Sequence, residues 1–136
     1  MNQKRMLIVD DDPDLRLALR LPLESAGYAI SEADSMAAGK NVVKEVKPDL
    51  IILDVMMDTT TAGFQFALDL HSPDPSSEFK EFRNIPIIML TSVDAITGLN
   101  LKEMAKDPKW LPVEAYLEKP VQPQQLLGEI KRLLNL

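Results

Sequence analysis

The chain has 136 residues, 46% of them hydrophobic, with a formal net charge of -6 and no cysteine. That length supports one domain with a proper core, and the hydrophobic share argues against disorder. The acidic balance argues against non-specific nucleic-acid binding, and the lack of cysteine excludes disulfides and thiolate metal sites.

The chain leads from Met1 straight into a first predicted strand, about Arg5 to Asp10. No signal peptide is evident and no apolar run is long enough to span a membrane, so a cytoplasmic protein is expected. The first helix opens on Asp12 as N-cap with Pro13 at its first position, and stops before Gly27, a suitable C-terminal cap. Pro22 inside it is expected to kink its last turns. A second strand covers about Tyr28 to Glu32, and Ser35 can cap a second helix reaching about Val46. Lys47-Pro48-Asp49 turns into a third strand, Leu50 to Leu53. A third helix begins near Gly63 or Phe64 and carries Phe66, Ala67 and Leu70.

A turn-rich stretch from His71 to Ser77 follows, with an amphipathic piece over Glu78 to Phe82 that suits a helical turn. His71 reads as an ordinary surface residue. The fourth strand is Ile85 to Leu90. A helix from about Asp94 to Ala105, a loop from Asp107 to Pro112 and a fifth strand from Val113 to Leu117 come next. A last helix after Pro123 has Leu126, Leu127, Ile130, Leu133 and Leu134 on one face. Short apolar runs alternating with helices predict an α/β domain: a doubly wound, five-stranded parallel sheet with helices on both faces and right-handed crossovers. Residues 1–136 read as one domain, without repeat or linker.

The polar residues at the carboxyl ends of the strands carry the chemistry. Strand one supplies Asp10 and Asp11, strand three Asp54, strand four Thr91 and Ser92, and strand five Lys119. Strand two offers nothing obvious. In open α/β sheets this edge is where ligands bind. Clustered carboxylates repel one another and favour a hard divalent cation, and acids with a metal and a lysine suit the handling of a phosphoryl group. A carboxylate can itself be the nucleophile, forming an acyl phosphate.

Four motifs lie at these strand ends in order: Leu7-Ile8-Val9-Asp10-Asp11-Asp12, Pro48-Asp49-Leu50-Ile51-Ile52-Leu53-Asp54, Ile85-Pro86-Ile87-Ile88-Met89-Leu90-Thr91-Ser92 and Tyr116-Leu117-Glu118-Lys119-Pro120. Jointly they resemble the receiver domain of two-component response regulators, over essentially the whole chain. The resemblance implies the flavodoxin-like receiver fold with strand order 2-1-3-4-5. It implies Asp54 as phosphoacceptor and Mg2+ as cofactor, held by Asp11, by Asp10, by Asp54 and by the Met56 backbone carbonyl. Lys119 would pair with Asp54 or its phosphate, Thr91 would hydrogen-bond the phosphoryl oxygen, and Tyr116 would be the aromatic of the switch. The implied partners are a histidine kinase or histidine phosphotransfer protein and a downstream protein. No direct nucleic-acid contact is implied, and the chain would be a monomer or a phosphorylation-dependent homodimer.

Such a domain is no enzyme beyond its own phosphoryl transfer and slow autodephosphorylation. Met56 and Val93, which would flank the path of attacking water, cannot orient it, so a long-lived phospho-state is expected. The chain departs from the family pattern at Asp58, where proline is usual, and in longer stretches around 72–84 and 105–112. With no output domain following, a stand-alone regulator is expected. The alternatives are a receiver fragment of a larger transcription factor or hybrid kinase, or a Mg2+-dependent phosphohydrolase. Met56 stands against the last, because those enzymes carry a second aspartate at that position.

Overall fold

The computed structural model describes residues 3–54, 62–91 and 113–136, the side chains of 62–64 excepted. Five parallel strands form one sheet: β1 (Arg5–Val9), β2 (Ala29–Ala33), β3 (Leu50–Asp54), β4 (Ile87–Thr91) and β5 (Ala115–Glu118). Their spatial order is β2-β1-β3-β4-β5, as the resemblance implies. Four helices are described: α1 (Pro13–Ser25), α2 (Met36–Val46), α3 (Ala62–Leu70) and α4 (Pro123–Leu134). The helix expected over 94–105, together with Trp110, lies outside the described residues. Among the described residues no helix is long and apolar enough to cross a membrane.

The central strands are apolar on both faces because both faces are covered. Leu7, Val9, Ile51, Leu53, Ile87 and Met89 point to the side where Val43 of α2 and Phe66, Ala67 and Leu70 of α3 pack. Their chain neighbours Met6, Ile8, Leu50, Ile52, Ile88 and Leu90 meet Leu19 and Leu23 of α1 and Leu126 and Ile130 of α4. The two-residue period of a strand divides one apolar run between two cores. Each fully buried Leu or Ile contributes about 1.5–3 kcal/mol, which fixes the strands and so the positions of their ends.

Local signals set the helix ends. The Asp12 carboxylate accepts from Asp14 N at 2.9 Å with Pro13 behind it, and the Ser35 hydroxyl accepts from Ala38 N at 3.1 Å. Gly27 has φ 96°, a conformation glycine adopts without the Cβ clash, and lets Tyr28 N donate to Leu23 O. Helix α1 continues through Pro22 to Ser25.

The insert after α3 docks on the sheet through Phe79 and Phe82, both buried in the α2–α3 core. Its helical turn is a 3-10 turn, Lys80–Phe82, shorter than the stretch expected from Glu78. Strands β2, β4 and β5 begin one or two residues later than the sequence suggests. Apolar propensity extends past the point where neighbouring strands still offer ladder partners.

Candidate functional site

Strand β1 ends at Val9, and the chain leaves the sheet at Asp10, whose N–H donates to Ala33 O of β2 at 3.0 Å. The turn is tight because helix α1 starts three residues on, at Pro13. Asp10 Oδ1 accepts from Asp12 N at 2.9 Å, and Asp12 in turn caps the helix. Asp10 is therefore pulled inward and buried, while Asp11 projects outward and is exposed. Beside them, Asp54 closes β3 at 5% exposure, next to Val9 and Leu53 in register. Carboxylate oxygens of Asp10, Asp11 and Asp54 lie within 4.8 Å of one another.

The other wall comes from β4 and β5. Thr91 ends β4 fully buried, and its carbonyl accepts from Lys119 N at 2.6 Å, which carries the chain from β5 across the sheet edge. Lys119 Nζ lies 3.2 Å from Asp54 Oδ1. The Lys119–Pro120 peptide is cis. Asp10, Asp11, Asp54, Thr91 and Lys119 thus converge at one sheet edge. Tyr116 stands opposite Met89 on β5 and is half-buried against the α2–α3 core. Met56, Asp58, Ser92 and Val93 lie outside the described residues.

The electrostatics are those of an unbalanced pocket. Burial pushes the Asp10 carboxyl up from an ordinary 3.8 to about 6; the bond from Asp12 N opposes this, and the Asp54 charge adds to it. Asp10 Oδ2 and Thr91 Oγ1 are buried without a hydrogen-bond partner among the described residues. Such atoms are costly in a folded protein unless a ligand completes them. An all-oxygen set of carboxylates with a buried free lone pair fits a hard divalent cation.

Two expectations need correction. Strand β2 does contribute: Glu32 accepts from Arg16 Nε at 2.9 Å and from Arg20 Nη1 at 2.6 Å. Two arginines one helical turn apart on α1 show in the sequence, but the strand carboxylate they meet does not. His71 is not an ordinary surface residue. It is half-buried, and its Nε2 bonds to Ile85 O at 2.9 Å, with Glu114 nearby. A histidine beside a polar loop is drawn in where the strand-entry carbonyl needs a donor.

Comparison with known proteins agrees with this architecture. The family model described as "Response regulator receiver domain" matches residues 6–131. The phosphate regulon transcriptional regulatory protein PhoB of Pseudomonas aeruginosa is 34% identical over 97% of this chain and 52% of its own length. The chain spans about half the length of the curated relatives it matches. Among solved structures, the chemotaxis response regulator CheY4 of Vibrio cholerae is 26% identical with TM-score 0.74, covering 97% of this chain and 99% of that one. The signal receiver domain of a signal transduction histidine kinase from Syntrophus aciditrophicus is 26% identical with TM-score 0.77, covering 97% and 90%.

Proposed function

The chain belongs to the response regulator receiver domain family, and from that premise we propose that Asp54 accepts a phosphoryl group from a histidine kinase or histidine phosphotransfer protein. The observation that carries the reading is Lys119 Nζ at 3.2 Å from Asp54 Oδ1, beside two further carboxylates. In the transfer, an Asp54 carboxylate oxygen attacks phosphorus and the phosphorus–nitrogen bond to the donor histidine breaks. The imidazole leaves neutral, having taken a proton from solvent, and an acyl phosphate remains on Asp54.

Asp10, Asp11, Asp54 and the Met56 backbone carbonyl would hold Mg2+. When bound, the ion neutralises charge on the phosphoryl oxygens. Lys119 supplies a fixed positive charge where negative charge accumulates. In this reading Thr91 donates to a phosphoryl oxygen, which its buried hydroxyl, unpartnered among the described residues, supports. That donation draws β4 toward the site, and Tyr116 turns inward to fill the space, shifting a population of surfaces recognised by a downstream protein. The phospho-state is long-lived, because Met56 and Val93 do not orient water. The domain works in the cytoplasm, without direct nucleic-acid contact, as a monomer or a phosphorylation-dependent homodimer.

Acetyl phosphate or phosphoramidate with Mg2+ should add one phosphoryl group by intact mass, and Asp54→Ala should add none. Equal modification of that variant would overturn the assignment. A second reading, the receiver portion of a longer regulator, is favoured by relatives about twice as long. The natural reading frame beyond Leu136 decides between it and a stand-alone regulator.

A further inference from the structure

The acid loop is held from behind by a clamp that the phosphoacceptor chemistry does not itself require. Arg16, in the second turn of α1, uses two edges of its guanidinium. Nη1 donates to the Asp10 carbonyl at 2.7 Å, and Nε donates to Glu32 Oε1 at 2.9 Å. The second Glu32 oxygen accepts from Arg20 Nη1 at 2.6 Å. Glu32 is thereby pinned at the carboxyl end of β2, and it pins Arg16. The Arg16 side chain is only 18% exposed. The Asp10 N–H is also tied to β2, through Ala33 O at 3.0 Å. The peptide groups on both sides of the Asp10 Cα are therefore anchored to the neighbouring strand, and with them the direction in which the Asp10 and Asp11 carboxylates leave the backbone.

We infer that Arg16 is a positioning residue for divalent-cation binding: braced by Glu32, it fixes the Asp10–Asp11 peptide so that both carboxylates converge with Asp54. The inference rests on the cation-site reading above. Physical reasoning gives the clamp a sign that separates it from a charge effect. A guanidinium near a cation site repels the incoming cation, so its charge alone weakens binding. Its removal would then tighten binding. As a clamp it does the opposite. Without it three carboxylates that repel one another are free to move apart, and the cation must order them on arrival. Planar guanidinium geometry serves a carbonyl and a carboxylate at once, which a lysine ammonium does not reproduce.

The test is a Mg2+ titration of the full chain, followed by amide NMR shifts, with melting temperature measured in EDTA. Arg16→Ala should weaken Mg2+ binding roughly tenfold, the lower range for groups that orient metal ligands from behind. Arg16→Lys keeps the charge, loses the fork and should weaken binding as well. Arg20→Ala loosens the same Glu32 without touching Asp10, and should change affinity by no more than about twofold, as for a partly exposed ion pair. A merely structural Arg16 would lower the melting temperature and leave affinity unchanged. Unchanged or tighter Mg2+ binding in Arg16→Ala overturns the inference. If that variant does not fold, Arg16→Lys and Glu32→Gln are judged by the same criterion. Asp11→Ala separates the two levels. Binding lost there but retained in Arg16→Ala sinks the clamp alone. If the parent shows no Mg2+-dependent shifts, or Asp11→Ala binds as well as the parent, the cation site fails and the clamp falls with it.

Discussion

The two ends of the sheet treat their polar groups in opposite ways. At the amino end, polar groups beside the starts of β1 and β4 find protein partners, although Arg83 Nε, just before β4, is buried without one among the described residues. Arg5 N donates to Asp49 Oδ2 at 2.8 Å and Arg5 Nη1 to Val46 O at 2.7 Å. Ile87 N donates to Glu114 Oε2 at 2.6 Å, and His71 Nε2 bonds to Ile85 O. At the carboxyl end, Asp10 Oδ2 and Thr91 Oγ1 are buried without a partner among the described residues, and three carboxylates crowd together. Each unpaired buried polar group costs about 1–3 kcal/mol. One end of the sheet closes the fold; the other gives up stability, which is the expected mark of a site awaiting a ligand.

The largest break in this contrast should come from Lys119→Ala. It removes the positive charge next to Asp54 and should slow phosphorylation by small phosphodonors about 100- to 1,000-fold, as for loss of one preorganised electrostatic group. Rates from intact mass against time check it; a change under about tenfold would separate Lys119 from the chemistry.

Next in size is Asp10→Asn, which should stabilise the metal-free protein. The Asp10 carboxyl titrates at about 6 in the fold against an ordinary 3.8. Well below pH 3.8 it is protonated folded and unfolded alike, and contributes no penalty. As pH rises from about 4 to above 6, the unfolded chain ionises first and stability falls, by about 3 kcal/mol at most. Urea unfolding in EDTA should show this decline in the parent and its absence in Asp10→Asn. The variant should be the more stable one at pH 7 while binding Mg2+ poorly. A variant less stable at every pH would mean that Asp10 serves the fold rather than the site.

The amino end should respond in reverse. Glu114→Ala strips Ile87 N of its carboxylate at the start of β4 and should cost about 1–3 kcal/mol in urea unfolding. Phosphorylation should be unchanged. Lost phosphorylation at full stability would erase the distinction between the two ends. The smallest effect belongs to Lys44→Ala, which breaks an exposed ion pair with Glu78 and a cation–π contact with Phe79 at 5.0 Å. About 0.5–1 kcal/mol is expected. A larger loss would show that the insert is held to α2 by these contacts more than by buried Phe79 and Phe82.

Much of this was legible in the chain itself. Leu50-Ile51-Ile52-Leu53 and Ile87-Ile88-Met89-Leu90 read as buried strands because a run apolar at every position suits a strand covered on both faces. Asp12, Ser35 and Gly27 marked helix ends because capping is local, decided by side chains within three residues of the backbone they satisfy. Asp10, Asp11, Asp54, Thr91 and Lys119 could be named as a group because each lies at or just past the carboxyl end of its strand. Strand order was available only through the family resemblance, since hydrophobic periodicity says which face is buried and not which strand is the neighbour. The tertiary structure alone brought Glu32 to Arg16 and Arg20, turned His71 toward Ile85 O, and left Asp10 Oδ2 buried without a described partner. Those outcomes depend on the register of parallel strands joined through helices and on the packing of α1 against β2. They are fixed by the packing of the whole core, on which no short stretch of sequence reports.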